Sequence, residues 1–277
     1  MLDDAAACRG RDARGMLEMI DRLPEQLEEA LDCVAAGTVP EGGRFDDAVV
    51  CGMGGSAIGG DLVRAWLGAR LAGPLAIHRG PLPPAHLGPR SLALVCSYSG
   101  DTRETLAAFE AARGSGARVV CLSSDGELEE RARQTGCGFV RLPAGLPPRA
   151  AVAFTTLPLA GLLFQAGLTV DAGDEIRAAA AWLKGRRRRC AIGTPTARNP
   201  AKQLAERLEG RLPVFYGSQE RLSAVAVRWA GQFSENAKHL SFAGALPEMT
   251  HNDVVGWRHP ASARERLVLA SARQAEG

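Results

Sequence analysis

The 277-residue sequence has no surplus of either charge, no paired-cysteine motif and no apolar run long enough to span a bilayer. Its 33 basic side chains nearly match 31 acidic ones, for a net charge of +2, so there is no global pull toward nucleic acid or a membrane surface. Seven cysteines, Cys8, Cys33, Cys51, Cys96, Cys121, Cys137 and Cys190, are scattered without a C-x-x-C pair. Cys51, Cys96 and Cys121 fall inside apolar runs, which marks them as buried thiols in a reducing compartment and excludes a disulfide framework or a thiolate metal site. The longest apolar stretch, Ala150 to Leu163, is interrupted by Thr155, Thr156 and Pro158 and is too short to cross a membrane. The amino terminus, MLDDAAACRGRDARGML, mixes charges and lacks an apolar segment, so no secretory leader is expected and the location is read as cytoplasmic.

What is present organises itself around Ala48 to Asp61, AVVCGMGGSAIGGD. Four apolar residues suit a strand covered on both faces, and the glycine cluster that follows suits a tight loop opening a helix. Such a loop cradles anions, because free amides and aligned peptide dipoles at a helix start favour negative charge. Gly52, Gly54 and Ala57 also fit the dinucleotide pattern G-x-G-x-x-G/A. That pattern requires an acidic residue about 20 positions on, and the next strand candidate, Leu75 to Ile77, ends in His78 and Arg79. An NADP-dependent enzyme, with Arg79 on the 2′-phosphate, is the reading left to this loop by itself.

A second junction favours a phosphate monoester. The apolar run Ser91 to Cys96 leads into Ser97, Tyr98, Ser99, Gly100, Asp101 and Thr102 before the helical pattern RETLAAFEAA. Three hydroxyls and the free amides of a first helical turn make a phosphate site. Helix capping by Ser99 or Thr102 is the plainer alternative for this loop considered alone.

Along the chain, Met16, Ile20, Leu23, Leu27, Leu31 and Val34 predict one or two helices, broken at Pro24. Strands are expected at Phe45 to Cys51, Leu75 to Ile77, Leu92 to Cys96, Ala117 to Leu122 and Phe139 to Leu142, alternating with helices, which specifies a parallel sheet covered on both faces. Pro147 and Pro148 stiffen the entry to an apolar helix led by Arg149, which suits either a surface cap or a ligand contact. Gly167 to Gly173 reads as a linker. A second alternation follows, with a helix at Asp174 to Lys184, strands at Cys190 to Gly193 and Val214 to Tyr216, a long helix from Leu222 to Lys238, and strands near Leu240 to Phe242 and Leu267 to Leu269. The expected division is an N-terminal helical segment 1–36, a first domain 37–166 and a second domain 167–277. The arginine run Arg186 to Arg189 reads as the solvated carboxyl end of a helix.

Glu235, near the end of the long helix, and His251, in the polar stretch PEMTHND, are suited to proton transfer on a sugar phosphate, though on bare spacing alone a solvated carboxylate and a loop-forming imidazole are the favoured reading. The strings GMGGSAIGGD, SYSGDTRET, PPRAA, SENAK and PEMTHNDVVGW, in order from about Asp46 to Trp257, resemble the bifunctional phosphoglucose/phosphomannose isomerases of the sugar-isomerase (SIS) superfamily.

This resemblance implies an α/β fold of two tandem SIS-like doubly wound domains, usually a homodimer with the active site near the dimer and domain interfaces. It implies interconversion of glucose 6-phosphate, and of mannose 6-phosphate as a second substrate, with fructose 6-phosphate through a cis-enediol, without metal or cofactor. Transferred motif by motif, Gly55, Ser56, Ser97, Ser99 and Thr102 hold the phosphate, Glu235 moves the proton between C2 and C1, His251 assists ring opening, and Arg149 stabilises the enediolate. The resemblance further implies helices beyond the last strand that bring a threonine or serine and a lysine to the sugar. SARQAEG, which follows Leu267 to Leu269 and its Ala270, has no residue matching them, and a shortened second domain is expected. A noncatalytic sugar-phosphate-binding protein is the alternative. No nucleic-acid or membrane partner is expected.

Overall fold

A computed structural model describes residues 2–35, 37–39, 44–261 and 266–272; Ala36, the expected end of the helical segment, and the tail from 273 onward lie outside the described residues. In chain order the elements are α1 (Ala5–Arg11), α2 (Met16–Asp21), α3 (Leu23–Leu31), β1 (Asp47–Cys51), α4 (Gly54–Leu67), β2 (Leu75–His78), β3 (Ser91–Cys96), α5 (Arg103–Gly114), β4 (Arg118–Ser123), α6 (Glu127–Thr135), β5 (Gly138–Arg141), α7 (Val152–Gln165) and α8 (Gly173–Cys190). They continue with α9 (Pro200–Leu208), β6 (Leu212–Ser218), α10 (Ser223–Gln232), β7 (Phe242–Leu246), α11 (Asp253–Gly256) and β8 (Leu267–Ser271). The chain forms two compact units, Arg14–Gly185 and Met1–Ala13 with Arg186–Gly277.

In the unit Arg14–Gly185, five parallel strands lie in the order β2-β1-β3-β4-β5. Successive strand side chains point to opposite faces, and this alternation divides the buried residues between two cores. Val50, Leu92, Leu94, Val120 and Leu122 pack with Val63 and Leu67 of α4 and Phe154, Leu159, Leu162 and Leu163 of α7. Val49, Ala93, Val95, Val119 and Cys121 pack with Phe109 of α5 and Leu128 of α6. Each fully buried Leu or Phe of this kind stabilises the unit by roughly 1.5–3 kcal/mol. The approach of α4 to α7 requires glycine, because a Cβ on Gly59 would lie 1.9 Å from the Thr155 carbonyl oxygen.

The expected linker Gly167 to Gly173 is docked. Leu168 and Ala172 are buried in the first of these cores, and Leu168 O accepts from Ala72 N at 2.8 Å. Apolar side chains at 168 and 172 give the segment something to bury, which its flanking glycines conceal. The two compact units divide within α8, at 185/186.

In the other unit, three parallel strands lie in the order β7-β6-β8. Asn199 caps α9 as expected, its Oδ1 accepting from Ala201 N and Lys202 N at 3.0 and 3.2 Å, with Pro200 at the first helical position. Cys190 to Gly193 is not a strand. Arginine is a good helix former, α8 therefore runs on through Cys190, and its terminal carbonyls are met by side chains: Arg188 O accepts from Thr194 Oγ1 at 2.9 Å and Ala191 O from Asn199 Nδ2 at 3.0 Å. The strand expected at Leu240 to Phe242 instead starts at Phe242. Asp3 joins the N-terminal residues to this unit, its Oδ1 accepting from Thr196 N and Oγ1, both at 2.8 Å, and pairing with Lys202.

Candidate functional site

The strand order of the five-stranded sheet fixes where a ligand can sit. The chain leaves β1 toward β2 on one side and then resumes at β3 on the other, so the carboxyl ends of β1 and β3 flank a topological switch point, the usual ligand crevice of an open α/β sheet. Both loops singled out in the sequence emerge there. β1 and β3 are paired with Cys51 beside Val95, and a Cβ on Gly52 would lie 2.7 Å from Cys96 O.

The first loop turns at Gly54, whose φ is +48°, straight into α4. Met53 provides no side-chain cap, and among the described residues the Gly54 and Gly55 N–H groups have no hydrogen-bond partner. The second loop turns at Gly100, φ +78°, where a Cβ would come within 1.8 Å of Asp125 O, and enters α5, whose N-cap Thr102 likewise makes no side-chain cap bond. Two helix starts with open amides thus flank one crevice, the arrangement that attracts a phosphate dianion.

The hydroxyls have distinct placements. Ser97 is buried and donates to Thr102 Oγ1 at 3.1 Å, leaving the Thr102 proton free to point elsewhere. Ser99 is exposed, its Oγ accepting from Asp101 N at 3.4 Å. Ser56 is buried with its Oγ turned to the neighbouring loop, where it accepts from Tyr98 N at 3.0 Å. Its hydroxyl therefore ties the two loops together and satisfies an amide that would otherwise be a buried orphan.

Sequence reasoning passed over the residues that brace the crevice. Tyr98 is buried, its hydroxyl donating to Pro143 O at 2.5 Å and accepting from Leu146 N at 3.2 Å, and burial raises its phenol above the ordinary range. Ser124 returns Oγ and N to Tyr98 O at 2.7 and 3.0 Å, and Asp101 Oδ1 accepts from Glu127 N at 2.9 Å. An aromatic residue between two serines, in an otherwise polar loop, is the sequence signal for this brace.

Arg149 lies in a single 3-10 turn, Pro148–Ala150, and is half-buried. That turn abuts the first loop. A Cβ on Gly55 would be 3.0 Å from Pro148 O, and Gly55 O accepts from Thr155 Oγ1 at 3.1 Å. The structure thus brings Gly55, Ser56, Ser97, Ser99, Thr102 and the Arg149 turn together. Arg79, the residue an NADP site would need, is ion-paired with Asp61.

In the other unit, Glu235 is exposed in a π-helical turn, Phe233–Ala237, that extends α10. Half-buried Arg228 lies on the same helix; burial lowers its pKa and the Glu235 charge opposes that shift. Ser241, just before β7, donates to Ala230 O at 2.8 Å, which fixes the Glu235 turn at the amino end of β7. His251 is exposed and follows the turn Glu248–Thr250 at the other end of that strand. Its neighbourhood is held by Tyr216, buried on β6, which donates to Asp253 Oδ2 at 2.8 Å; burial first, and then this carboxylate, raise the phenol. Five-residue β7, on the order of 15 Å long, lies between the turn that carries Glu235 and the one that precedes His251. Among the described residues no group of acidic, cysteine and histidine side chains could hold a metal, and no helix is long and apolar enough to cross a membrane.

Residues 197–276 match the family described as the bacterial phospho-glucose isomerase C-terminal SIS domain. The chain is 34% identical over 248 residues to the bifunctional phosphoglucose/phosphomannose isomerase of Caldicellulosiruptor bescii, covering 88% of this chain and 73% of that one. It is 36% identical over 217 residues to the protein of the same name from Aquifex aeolicus, covering 78% and 63%. A hypothetical protein of known structure from Thermus thermophilus matches the fold with a TM-score of 0.69 at 20% identity, over 98% of this chain and 69% of the other. At the identity and coverage of the Caldicellulosiruptor bescii relative, the chain belongs to the bifunctional phosphoglucose/phosphomannose isomerase family.

Proposed function

We propose that this protein interconverts glucose 6-phosphate, and mannose 6-phosphate as a second substrate, with fructose 6-phosphate. The observation that carries the reading is the pair of open helix starts at the β1/β3 switch point, held together by the Ser56 to Tyr98 hydrogen bond. In this scheme the Gly54 and Gly55 amides, with Ser99 and Thr102, receive the phosphate, and Ser97 orients Thr102. Ser56 acts by fixing the distance between the loops.

Proton transfer then needs one carboxylate. Glu235 takes the C2 proton of the open-chain aldose and returns it to C1, the electrons passing through a cis-enediol in which the C1 oxygen gains a proton and the C2 oxygen loses one. Charge builds on the enediol oxygens during this exchange, and the Arg149 guanidinium is the group suited to oppose it. His251 protonates the ring oxygen on opening. No metal or redox cofactor enters these steps.

Glu235 and His251 at opposite ends of β7 favour a homodimer in which a complete site draws the two from different copies. Incubating the purified protein with fructose 6-phosphate and separating the products tests turnover and epimer choice together. The expected result is glucose 6-phosphate with some mannose 6-phosphate; thermal stabilisation by the substrate without conversion would instead identify a binding protein. Mixing Glu235→Gln and His251→Ala subunits should restore activity that neither variant has, and no recovery after subunit exchange would sink the shared site.

A further inference from the structure

The arginine run of α8 has a role that helix polarity does not explain. Favourable interaction with a helix carboxyl end accounts for basic residues in the last turn, yet Arg198, nine residues beyond Arg189 and in a different turn, faces the same depression. A cavity of about 580 Å³ is lined by Arg188, Arg189, Gly193, Thr194, Pro195 and Arg198. Among the described residues, Arg188, Arg189 and Arg198 have no ion-pair or hydrogen-bond partner for their guanidinium groups. Three exposed arginines that line one concavity without a counter-charge repel one another, and a multiply charged anion relieves this.

The connection from the end of α8 to Arg198 is held by hydrogen bonds. Thr194 N bonds to Ala191 O at 2.9 Å and its Oγ1 to Arg188 O at 2.9 Å, while Arg198 N bonds to Pro195 O at 2.9 Å. Lys202 Nζ reaches Ile192 O at 2.8 Å, and the nearby acidic group, Asp3, is already held by Thr196 and Lys202, hydrogen bonds that keep its pKa low. The depression therefore stays cationic and preorganised. We propose that it binds a diphosphate group, either free pyrophosphate or the diphosphate of a nucleotide. Guanidinium forks match paired phosphates bidentately, three positive charges balance a diphosphate of about three negative ones, and the volume lies within the usual range of about 300–1,000 Å³ for ligand pockets.

Isothermal titration of the full-length protein with pyrophosphate, adenosine diphosphate and inorganic phosphate, each with saturating fructose 6-phosphate present to occupy the isomerase site, tests this. Pyrophosphate and adenosine diphosphate should bind, inorganic phosphate at least tenfold more weakly (about one lost bidentate contact). Equal affinities for the first two would identify the free diphosphate as the ligand, and tighter binding of the nucleotide would identify that source. Arg188→Ser and Arg198→Ser should each weaken binding about tenfold or more while leaving isomerisation and melting temperature unchanged. Absence of binding by both diphosphates, unchanged affinity in both variants, or retention of only a single-stranded RNA oligomer would overturn the proposal.

Discussion

The unit Arg14–Gly185 covers both faces of its sheet, whereas the sheet of the other unit leaves Phe242 48% and Leu269 55% exposed. The same contrast holds for the candidate functional groups. Ser56, Ser97 and Tyr98 are buried, Ser56 bonded to Tyr98 and Ser97 to Thr102, while Glu235 and His251 are exposed at opposite ends of one strand. A phosphate has a fixed shape and charge, so its binding rewards a rigid cradle of amides. In the proposed reaction, proton transfer and ring opening each ask for one reachable group, and a single exposed side chain serves.

The strongest test of that division is Glu235→Gln. Removing the base while preserving shape should lower kcat by about 10³-fold, within the range general-base catalysis supplies, with fructose 6-phosphate affinity in calorimetry nearly unchanged. A parallel loss of affinity would mean that Glu235 also carries binding.

Glycine substitutions probe the same contrast through packing. Gly100→Ala places a Cβ 1.8 Å from Asp125 O at a φ of +78°, and should cost about 2–4 kcal/mol from strain and overpacking, read as a fall in melting temperature and in phosphate affinity. Gly231→Ala, in α10 with open space around its Cβ, should instead stabilise by about 0.5–1 kcal/mol through the helical preference of alanine. Similar effects at the two positions would erase the distinction.

Tyr98→Phe removes one donor and leaves Leu146 N without its acceptor. A loss of about 1–2 kcal/mol in denaturant unfolding is expected, together with faster hydrogen exchange at Leu146. Smallest of all is an alkaline effect confined to the better-packed unit. Burial pushes the Cys51 and Cys96 thiols up to about 12, and Cys121 is raised further by burial and its thiol neighbours. Because the folded pKa exceeds the unfolded value, this contribution is complete below about pH 9 and disappears as pH climbs toward 12. Cys51→Ala with Cys96→Ala should flatten the decline of melting temperature in that window; an identical slope would remove the thiols from the account.

The five-stranded sheet was legible because β1, β3 and β4 hold unbroken apolar runs, Ala48 to Cys51, Leu92 to Cys96 and Val119 to Leu122, as strands covered on both faces do. The two strand-to-helix loops after β1 and β3 were legible because glycine and hydroxyl residues at such junctions admit few structures. Cys190 to Gly193 misled because the short apolar run Cys190 to Ile192 suits a strand, while the preceding arginines carry α8 on through Cys190 and leave only Ala191 to Gly193 outside it. The docking of Leu168 and the inward turn of Ser56 were invisible for another reason: each depends on a partner distant in the chain, Ala72 and Tyr98. No local pattern encodes such pairs.

Tyr98 carries one kinetic consequence. Because its hydroxyl already anchors the Pro143 to Leu146 segment that leads to Arg149, that side of the crevice has no closure step left to perform when a sugar phosphate arrives. Rapid mixing that follows capture of the phosphate end should show a single encounter phase with a rate proportional to ligand concentration, and any slow plateau must arise outside the Tyr98 anchor.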